Sequence, residues 1–72
     1  MINLPEGYTI VQENDIAILA HNVRKQEYVA WTKDINGGVC WGHYFSYNKI
    51  ISENEPIDAL NKAKKAFKEK SK

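Results

Sequence analysis

Cys40 and His43 are a pair of residue types that could combine a nucleophile with a base. A thiol nucleophile needs its base within hydrogen-bond reach. The surrounding run, from Val39 to Phe45, has the aromatic and β-branched composition of a strand, and side chains an odd number of residues apart on a strand leave opposite faces. The sequence therefore predicts no catalysis by this pair, and His43 is expected to be a half-buried, hydrogen-bonded structural residue.

The remaining titratable residues suggest no other reactive site. His21 could approach His43 across neighbouring strands, but two histidines without a third ligand form a weak metal site. Two acidic pairs flank expected turns, where turn chemistry and helix-dipole placement explain them without general acid-base catalysis: Glu13 with Asp15, and Glu53 with Glu55. We expect a protein that is not an enzyme and holds no cofactor or metal.

The charge distribution is strongly asymmetric along the chain. Residues 1–60 hold four basic and eight acidic groups, whereas residues 61–72 hold six lysines and one glutamate. Basic side chains on a helix can bind phosphates, with an affinity that falls steeply as salt rises. They are equally typical of a solvated helix end, where cations are favoured. The candidate nucleic-acid contacts are Lys62, Lys65, Lys68 and Lys72.

Length and composition indicate one small domain spanning residues 1–72. A chain of 72 residues buries only about 60% of the surface that its unfolded form exposes, so its eight aromatic residues should supply much of the core. A single cysteine excludes an intramolecular disulfide. No signal peptide or apolar membrane-spanning run is recognisable, so we expect a cytoplasmic protein without a membrane partner.

The stretch from Gln26 to Phe45 predicts a β-hairpin. Two apolar, aromatic-rich runs, Gln26–Lys33 and Val39–Phe45, are joined by Asp34-Ile35-Asn36-Gly37-Gly38. Asp34 suits the start of a type I turn, and Gly37 can adopt the left-handed conformation that follows. We expect a three-residue loop with a glycine bulge, with a two-residue loop at Asn36-Gly37 as the alternative.

The three-residue loop assigns the hairpin side chains to two faces. With Lys33 opposite Val39, one face carries Val29, Trp31, Trp41, His43 and Phe45. The other face carries Tyr28, Ala30, Thr32, Cys40, Gly42 and Tyr44. Gly42 should leave a notch beside Ala30 and Cys40 on this second face. Both faces are apolar enough to need burial.

The residues before the hairpin favour two further strands. Tyr8–Gln12 is short and β-branched, and the polar residues from Glu13 to Asp15 should turn the chain. Ile16–His21 fits a strand, because a two-stranded hairpin alone would be marginal in water. A helix remains the alternative for this segment, since its apolar residues also recur at helical spacing.

The C-terminal third predicts a loop followed by one amphipathic helix. Ser46–Glu55 reads as a loop in which Ile50-Ile51 packs against the sheet edge. The helix should run from about Pro56 to Lys70, because proline is favoured at the first helical position and the lysines gather at the C-terminal end. Its apolar face should be formed by Leu60, Ala63 and Phe67, flanked by Ile57 and Ala59.

Together these elements predict an α+β fold: an antiparallel meander of three or four strands with the helix across one face. The predicted core is Trp31, Trp41, Phe45, Leu60 and Phe67. A single 15-residue helix, about 22 Å long, can cover only one face of the sheet. The other face should therefore be a protein interface, in a twofold homodimer or with a target, unless the N-terminal arm Ile2–Pro5 covers it. The interface candidates are Tyr28, Ala30, Cys40, Gly42 and Tyr44.

Three runs followed by an alanine-containing amphipathic helix resemble small uncharacterised proteins of phages and conjugative elements in Gram-positive bacteria. The runs are Ile18-Leu19-Ala20-His21-Asn22, Tyr28-Val29-Ala30-Trp31 and Trp41-Gly42-His43-Tyr44-Phe45, the last being the most specific. The resemblance implies a sheet-plus-helix accessory protein of a mobile element, without known catalytic residues. The longer Ser46–Glu55 loop and the basic tail depart from that pattern.

The function expected on this basis is inhibition of a host factor by protein–protein contact. Many small phage proteins bind and block a host protein, including anti-CRISPR and other anti-defence proteins. The acidic body of residues 1–60 could imitate nucleic acid toward the basic groove of a defence nuclease. The alternative expectation is a nucleic-acid-binding accessory protein that uses the basic C-terminal helix.

Overall fold

The computed structural model describes residues 4–72. Its elements are β1 (Thr9–Glu13), β2 (Ala17–Asn22), β3 (Glu27–Lys33), β4 (Val39–Ser46) and α1 (Pro56–Lys70). The strands form one antiparallel sheet in the order β1-β2-β3-β4, so each strand pairs with its neighbour in sequence. This confirms the predicted α+β meander. Within residues 4–72 no helix has the length and hydropathy that crossing a membrane would require.

The hairpin between β3 and β4 has the predicted turn. The Gly37 amide donates to the Asp34 carbonyl at 3.1 Å, and the Asp34 amide donates to the Gly38 carbonyl at 2.9 Å. Gly37 has a φ of 87°, the left-handed conformation that glycine adopts without a Cβ clash. Lys33 pairs with Val39, which confirms the three-residue loop.

The register predicted beyond this turn is wrong, because β4 contains a bulge at Trp41. Thr32 pairs with Cys40, but Ala30 pairs with His43, so β4 carries one residue more than β3 over this interval. An extra residue reverses the facing of every later side chain. Val29 therefore lies opposite Tyr44 rather than His43, and Phe45 lies opposite Tyr28.

The helix lies on the sheet face opposite to Trp31, so the predicted core, which joined Trp31 to Leu60 and Phe67, is wrong. Its side chains pack on the face that contains Leu19 and Ala30, with Tyr28 and Phe45 at the margin. The buried helix residues are Ala59, Ala63, Ala66 and Phe67. Because small side chains form most of this contact, the helix backbone can approach the sheet closely. Leu60 is half-buried and Ile57 is exposed, so the apolar face is rotated relative to the prediction.

The second sheet face is covered by the chain's own N-terminal segment. Ile18, Ala20, Val29 and Trp31 form a buried cluster there, against which Leu4 and Tyr8 pack. The predicted interface on an uncovered face, in a homodimer or with a target, therefore loses its premise, because this face is not left open. Leu4 belongs to the arm that was predicted as the alternative cover, whereas residues 2 and 3 of that arm lie outside the described part of the chain.

The loop before the helix is held by its own polar side chains. The Ile50 amide donates to Asn48 Oδ1 at 3.0 Å, and the Asn54 side chain donates to the Ser46 carbonyl at 3.3 Å. Ile50 is 94% exposed, so the prediction that Ile50-Ile51 packs against the sheet edge is wrong. The helix begins at Pro56 and ends at Lys70 as predicted.

Candidate functional site

Trp41 is the most unusual residue of the described chain. It was predicted to lie in the core, but its side chain is 79% exposed. Its φ is 51°, a conformation that is a genuine outlier for a bulky side chain and is typically worth 1–3 kcal/mol of strain. A strained backbone and an exposed indole do not stabilise a fold, so stability does not explain the conformation of Trp41. We therefore take Trp41 as the centre of the candidate site.

Contacts on both sides hold the bulge at Trp41 in place. The Lys70 ammonium, from the last turn of α1, donates to the Trp41 carbonyl at 2.6 Å. At Gly42, an added Cβ would lie 2.6 Å from Trp31 Nε1 and 2.8 Å from Tyr44 Cε1. The backbone at Gly42 is thus pressed against the Trp31 indole, which fixes the strand beside the exposed Trp41 side chain.

His43 and Tyr44 complete an exposed polar and aromatic edge on β4. Tyr44 is 55% exposed, and its hydroxyl accepts a hydrogen bond from Trp31 Nε1 at 3.2 Å. His43 is exposed, which corrects the prediction of a half-buried residue. We call Trp41, His43 and Tyr44 the β4 edge. Its residues lie on one of the two outer strands of the described sheet. His43 is opposite Ala30 on the helix side and Tyr44 is opposite Val29 on the other side, so they share the open edge of β4 rather than one sheet face.

The five predicted interface residues do not share one surface. Tyr28 and Ala30 lie on the helix-covered face, and Ala30 is fully buried. Cys40 pairs with Thr32 on the same side, and its thiol donates to the Thr32 carbonyl at 3.6 Å. Gly42 and Tyr44 lie on the other face, beside Trp31. The predicted notch at Gly42 is filled by the Trp31 and Tyr44 rings.

The Cys40 and His43 arrangement also differs from the prediction. Because the bulge lies between them, both pair with residues of the helix side, Thr32 and Ala30, rather than pointing to opposite faces. No hydrogen bond joins the two side chains in the described structure. His21 and His43 are separated by β3, and residues 4–72 contain no group of three or more His, Cys, Asp or Glu side chains placed to hold a metal ion.

The four candidate lysines are all exposed. Lys62 donates to Asn54 Oδ1 at 2.8 Å. Lys62 and Lys65 line a shallow groove of about 270 Å³ between α1 and β4, together with His43 and Glu69. Lys65 and Lys68 line a second groove toward β1, and its lining includes Lys64, which the sequence-based selection omitted.

An aromatic cluster at the other end of the sheet involves His21. Its ring stacks on Tyr28 with centroids 4.2 Å apart, and His21 Nε2 shares a 2.6 Å hydrogen bond with the Tyr47 hydroxyl. Burial lowers the pKa of His21 below 6.5, because desolvation disfavours the charged ring. Burial also raises the pKa of the Tyr47 hydroxyl, which keeps it protonated.

The pKa of His21 predicts that stability decreases in mildly acidic solution. Below about pH 6.5 the unfolded chain binds a proton at this ring more readily than the native state does, so the free energy of unfolding falls as pH falls. Urea unfolding measured between about pH 8 and pH 5 should show this decrease. His21→Gln should remove it, whereas the matched variant of the exposed histidine, His43→Gln, should retain it. An unchanged pH profile in His21→Gln would contradict the assignment.

The N-terminal segment is anchored by Tyr8. Its ring meets the Trp31 indole edge-on with centroids 4.9 Å apart, and its hydroxyl donates to a carboxylate oxygen of Glu27. Burial, reinforced by the Glu27 carboxylate, raises the pKa of Tyr8 well above its ordinary value, so the hydroxyl remains a donor. Tyr8 thus anchors the segment that closes the second face.

Comparison with known proteins gives no relative from which a role could be transferred. No family model, no curated protein and no solved structure matches this chain.

Proposed function

We propose that this protein is a non-enzymatic binding protein that contacts a protein partner with the β4 edge. The observation that carries the proposal is the exposed, strained Trp41. Tryptophan and tyrosine are enriched among the residues that dominate protein–protein binding energy. The β4 edge presents one tryptophan and one tyrosine. The bulge that carries Trp41 is held by the Lys70 hydrogen bond and by the contact of Gly42 with the Trp31 indole.

The bulge favours recognition through side chains rather than through the strand backbone. An edge strand can recruit another chain by extending the sheet, and a bulge locally disrupts the ladder that such pairing needs. Trp41 lies at the position where the bulge interrupts the ladder. A partner with an apolar pocket for the indole fits this geometry better than a partner that adds a strand.

The class of partner proposed from the resemblance is a host factor inside the bacterial cell, such as a defence nuclease. In this proposal the protein belongs to a mobile element and inhibits its target by occupying it, in the manner of an anti-CRISPR protein. The acidic balance of residues 1–60, four basic against eight acidic groups, supports binding to a basic surface. The β4 edge would supply the apolar anchor of that contact.

The variant Trp41→Gly tests whether Trp41 serves binding rather than folding. Glycine adopts positive φ without a Cβ clash, so relief of strain should offset its larger loss of backbone entropy. We expect the thermal midpoint to stay within about 5 °C of the wild type, which corresponds to roughly 1 kcal/mol in a domain of this size. Capture of partners from a Gram-positive host lysate should drop at least about tenfold for the proteins that wild type enriches, a loss of about 1.4 kcal/mol.

A matched control is Ile35→Gly, which removes another exposed apolar side chain at the tip of the hairpin, where it is 99% exposed. This variant should retain every partner that the wild type enriches. Equal capture by wild type and Trp41→Gly would refute the role of the β4 edge. A strongly lowered midpoint in Trp41→Gly would instead show that Trp41 stabilises the fold.

The nucleic-acid alternative has weaker support from the geometry. Of its four lysines, Lys62, Lys65, Lys68 and Lys72, Lys62 is already bonded to Asn54, and Lys72 lines neither of the two grooves described above. A gel shift with single- and double-stranded oligonucleotides at low and physiological salt tests it. Binding that weakens steeply with salt would favour this alternative, and no shift at low salt would remove it.

A further inference from the structure

The helix leaves β1 uncovered on the helix side of the sheet. It packs against β2, β3 and β4, whereas no close approach between α1 and β1 is present in the described chain. All five residues of β1 are exposed. The result is a groove of about 390 Å³ lined by Gln12, Lys64, Lys65, Phe67 and Lys68. Its volume lies within the range typical of ligand sites.

The groove has an apolar floor and one closed end. Phe67 is only 6% exposed and belongs to the core on the helix side of the sheet. Beyond β1, the Asn14 side-chain amide donates to the Ser71 hydroxyl at 2.6 Å, which joins the β1–β2 turn to the end of the helix. The walls of the groove therefore belong to β1 and α1, and the hydrogen bond between Asn14 and Ser71 joins the two at one end.

The groove is strongly cationic. Three of its five lining residues are lysines, and none is acidic. In residues 4–72 these three ammonium groups have no ion pair, since the described salt bridges belong to Lys33 and Lys49. Glu13, the nearest acidic residue of β1, is turned to the other face, where it binds Lys33 at 3.0 Å. The complementary ligand is therefore an anion with an apolar part.

The spacing of the lysines favours an extended peptide. Lys64 and Lys68 are one helical turn apart, about 6 Å along the axis. Alternate residues of an extended chain are separated by about 6.6 Å, so two carboxylates on one side of a peptide match the two ammonium groups. In addition, the groove lining contains no exposed aromatic ring on which a base could stack.

We propose that this groove binds an extended acidic segment of a partner protein, with its carboxylates on Lys64 and Lys68 and an apolar side chain over Phe67. The site lies on the β1 side of the helix and its lining contains none of the three residues of the β4 edge, so it stands independently of the function proposed above.

A direct test uses a fluorescein-labelled heptapeptide that alternates glutamate and valine, with glutamate at both ends. Fluorescence anisotropy at low salt should show saturable binding to the full chain, and nuclear magnetic resonance should show shifts centred on Gln12, Phe67 and Lys68. The same residues arranged as three valines with two glutamates at each end should bind at least about threefold more weakly, because no two carboxylates are then two residues apart.

Two double variants that change the net charge by the same amount distinguish binding in the groove from general electrostatic attraction. Lys64→Glu with Lys68→Glu should weaken binding of the alternating peptide at least about tenfold. Lys62→Glu with Lys72→Glu, which leaves the groove lining intact, should weaken it by less than about threefold. Circular dichroism establishes that both variants remain folded, and Lys64→Gln with Lys68→Gln provides a milder groove variant if charge reversal unfolds the chain.

Three results would overturn the proposal. The first is no saturable binding of the alternating peptide at millimolar concentration. The second is an equal loss in the two double variants, which would indicate attraction by net charge alone. The third is tighter binding of a single- or double-stranded oligonucleotide with the same dependence on Lys64 and Lys68, which would assign the groove to nucleic acid.

Discussion

Replacing Trp31 with alanine should lower the free energy of unfolding by about 3–5 kcal/mol, the usual effect of truncating a buried aromatic side chain. Trp31 is 2% exposed, meets the Tyr8 ring edge-on and donates to the Tyr44 hydroxyl. Its loss would empty the centre of the second face and release the N-terminal segment. In a thermal unfolding experiment we expect the midpoint to fall by more than about 10 °C.

The other tryptophan provides an internal control for this experiment. Trp41 is 79% exposed and belongs to neither buried cluster of the described chain. Trp41→Ala should therefore leave the thermal midpoint nearly unchanged, because an exposed substitution typically alters stability by no more than about 0.5 kcal/mol. Equal midpoints in Trp31→Ala and Trp41→Ala would show that the two indoles have been assigned to the wrong environments.

The variant Gly42→Ala should be the second most disruptive single change among those considered. Its added methyl group would lie 2.6 Å from Trp31 Nε1 and 2.7 Å from Trp31 Cδ1. Relief requires the indole or strand β4 to move, and such overpacking typically costs 1–3 kcal/mol. Chemical unfolding should show a lower midpoint, and the Trp31 fluorescence maximum should shift because the ring leaves its position against Tyr44.

The matched control for this prediction is Gly38→Ala in the hairpin loop. Apart from Gly38 itself and its two chain neighbours, no heavy atom lies within 4 Å of the position that its Cβ would occupy. This variant should unfold at nearly the same denaturant concentration as the wild type. If Gly42→Ala were as stable as Gly38→Ala, the close approach between β4 and the indole could not be correct.

Elements controlled by local chemistry could be predicted from the sequence. The Asp34–Gly38 loop follows from one aspartate and a glycine that adopts positive φ, and it set the Lys33–Val39 pairing correctly. The helix from Pro56 to Lys70 follows equally from its proline, its acidic first turn and its basic last turn. Ile16–His21 needed a choice between helix and strand, and the strand, Ala17–Asn22, is confirmed.

The facing of β4 does not follow from alternation, because alternation contains no extra residue. Alternation alone places Trp41 inside and Tyr44 on the Ala30 face, whereas β4 has a bulge at Trp41, next to the close approach of Gly42 to Trp31. The sequence does contain a signal for it. An isolated glycine within an aromatic strand often marks a bulge, and Gly42 was interpreted only as a notch.

The helix orientation and the N-terminal cover show a second limit of patterning. Isoleucine is more hydrophobic than alanine, so patterning favours burial of Ile57. In the structure Ile57 is exposed and the alanines are buried, because their small side chains let the helix lie close to the sheet. Tyr8 was assigned to the first strand, whereas its ring packs on Trp31 and its hydroxyl reaches Glu27. Neither contact has a sequence spacing that identifies it.

The meander has a kinetic consequence, since every strand pairs with the strand next to it in the chain. Three short connections can close one after another, and none requires distant segments to meet before the first favourable contacts form. Low separation between contacting residues is associated with fast folding. Docking of α1 then buries Leu19 and Ala30, which are uncovered until the helix arrives. The sheet is consequently expected to nucleate folding, and substitutions in α1 such as Ala63→Gly should mainly accelerate unfolding.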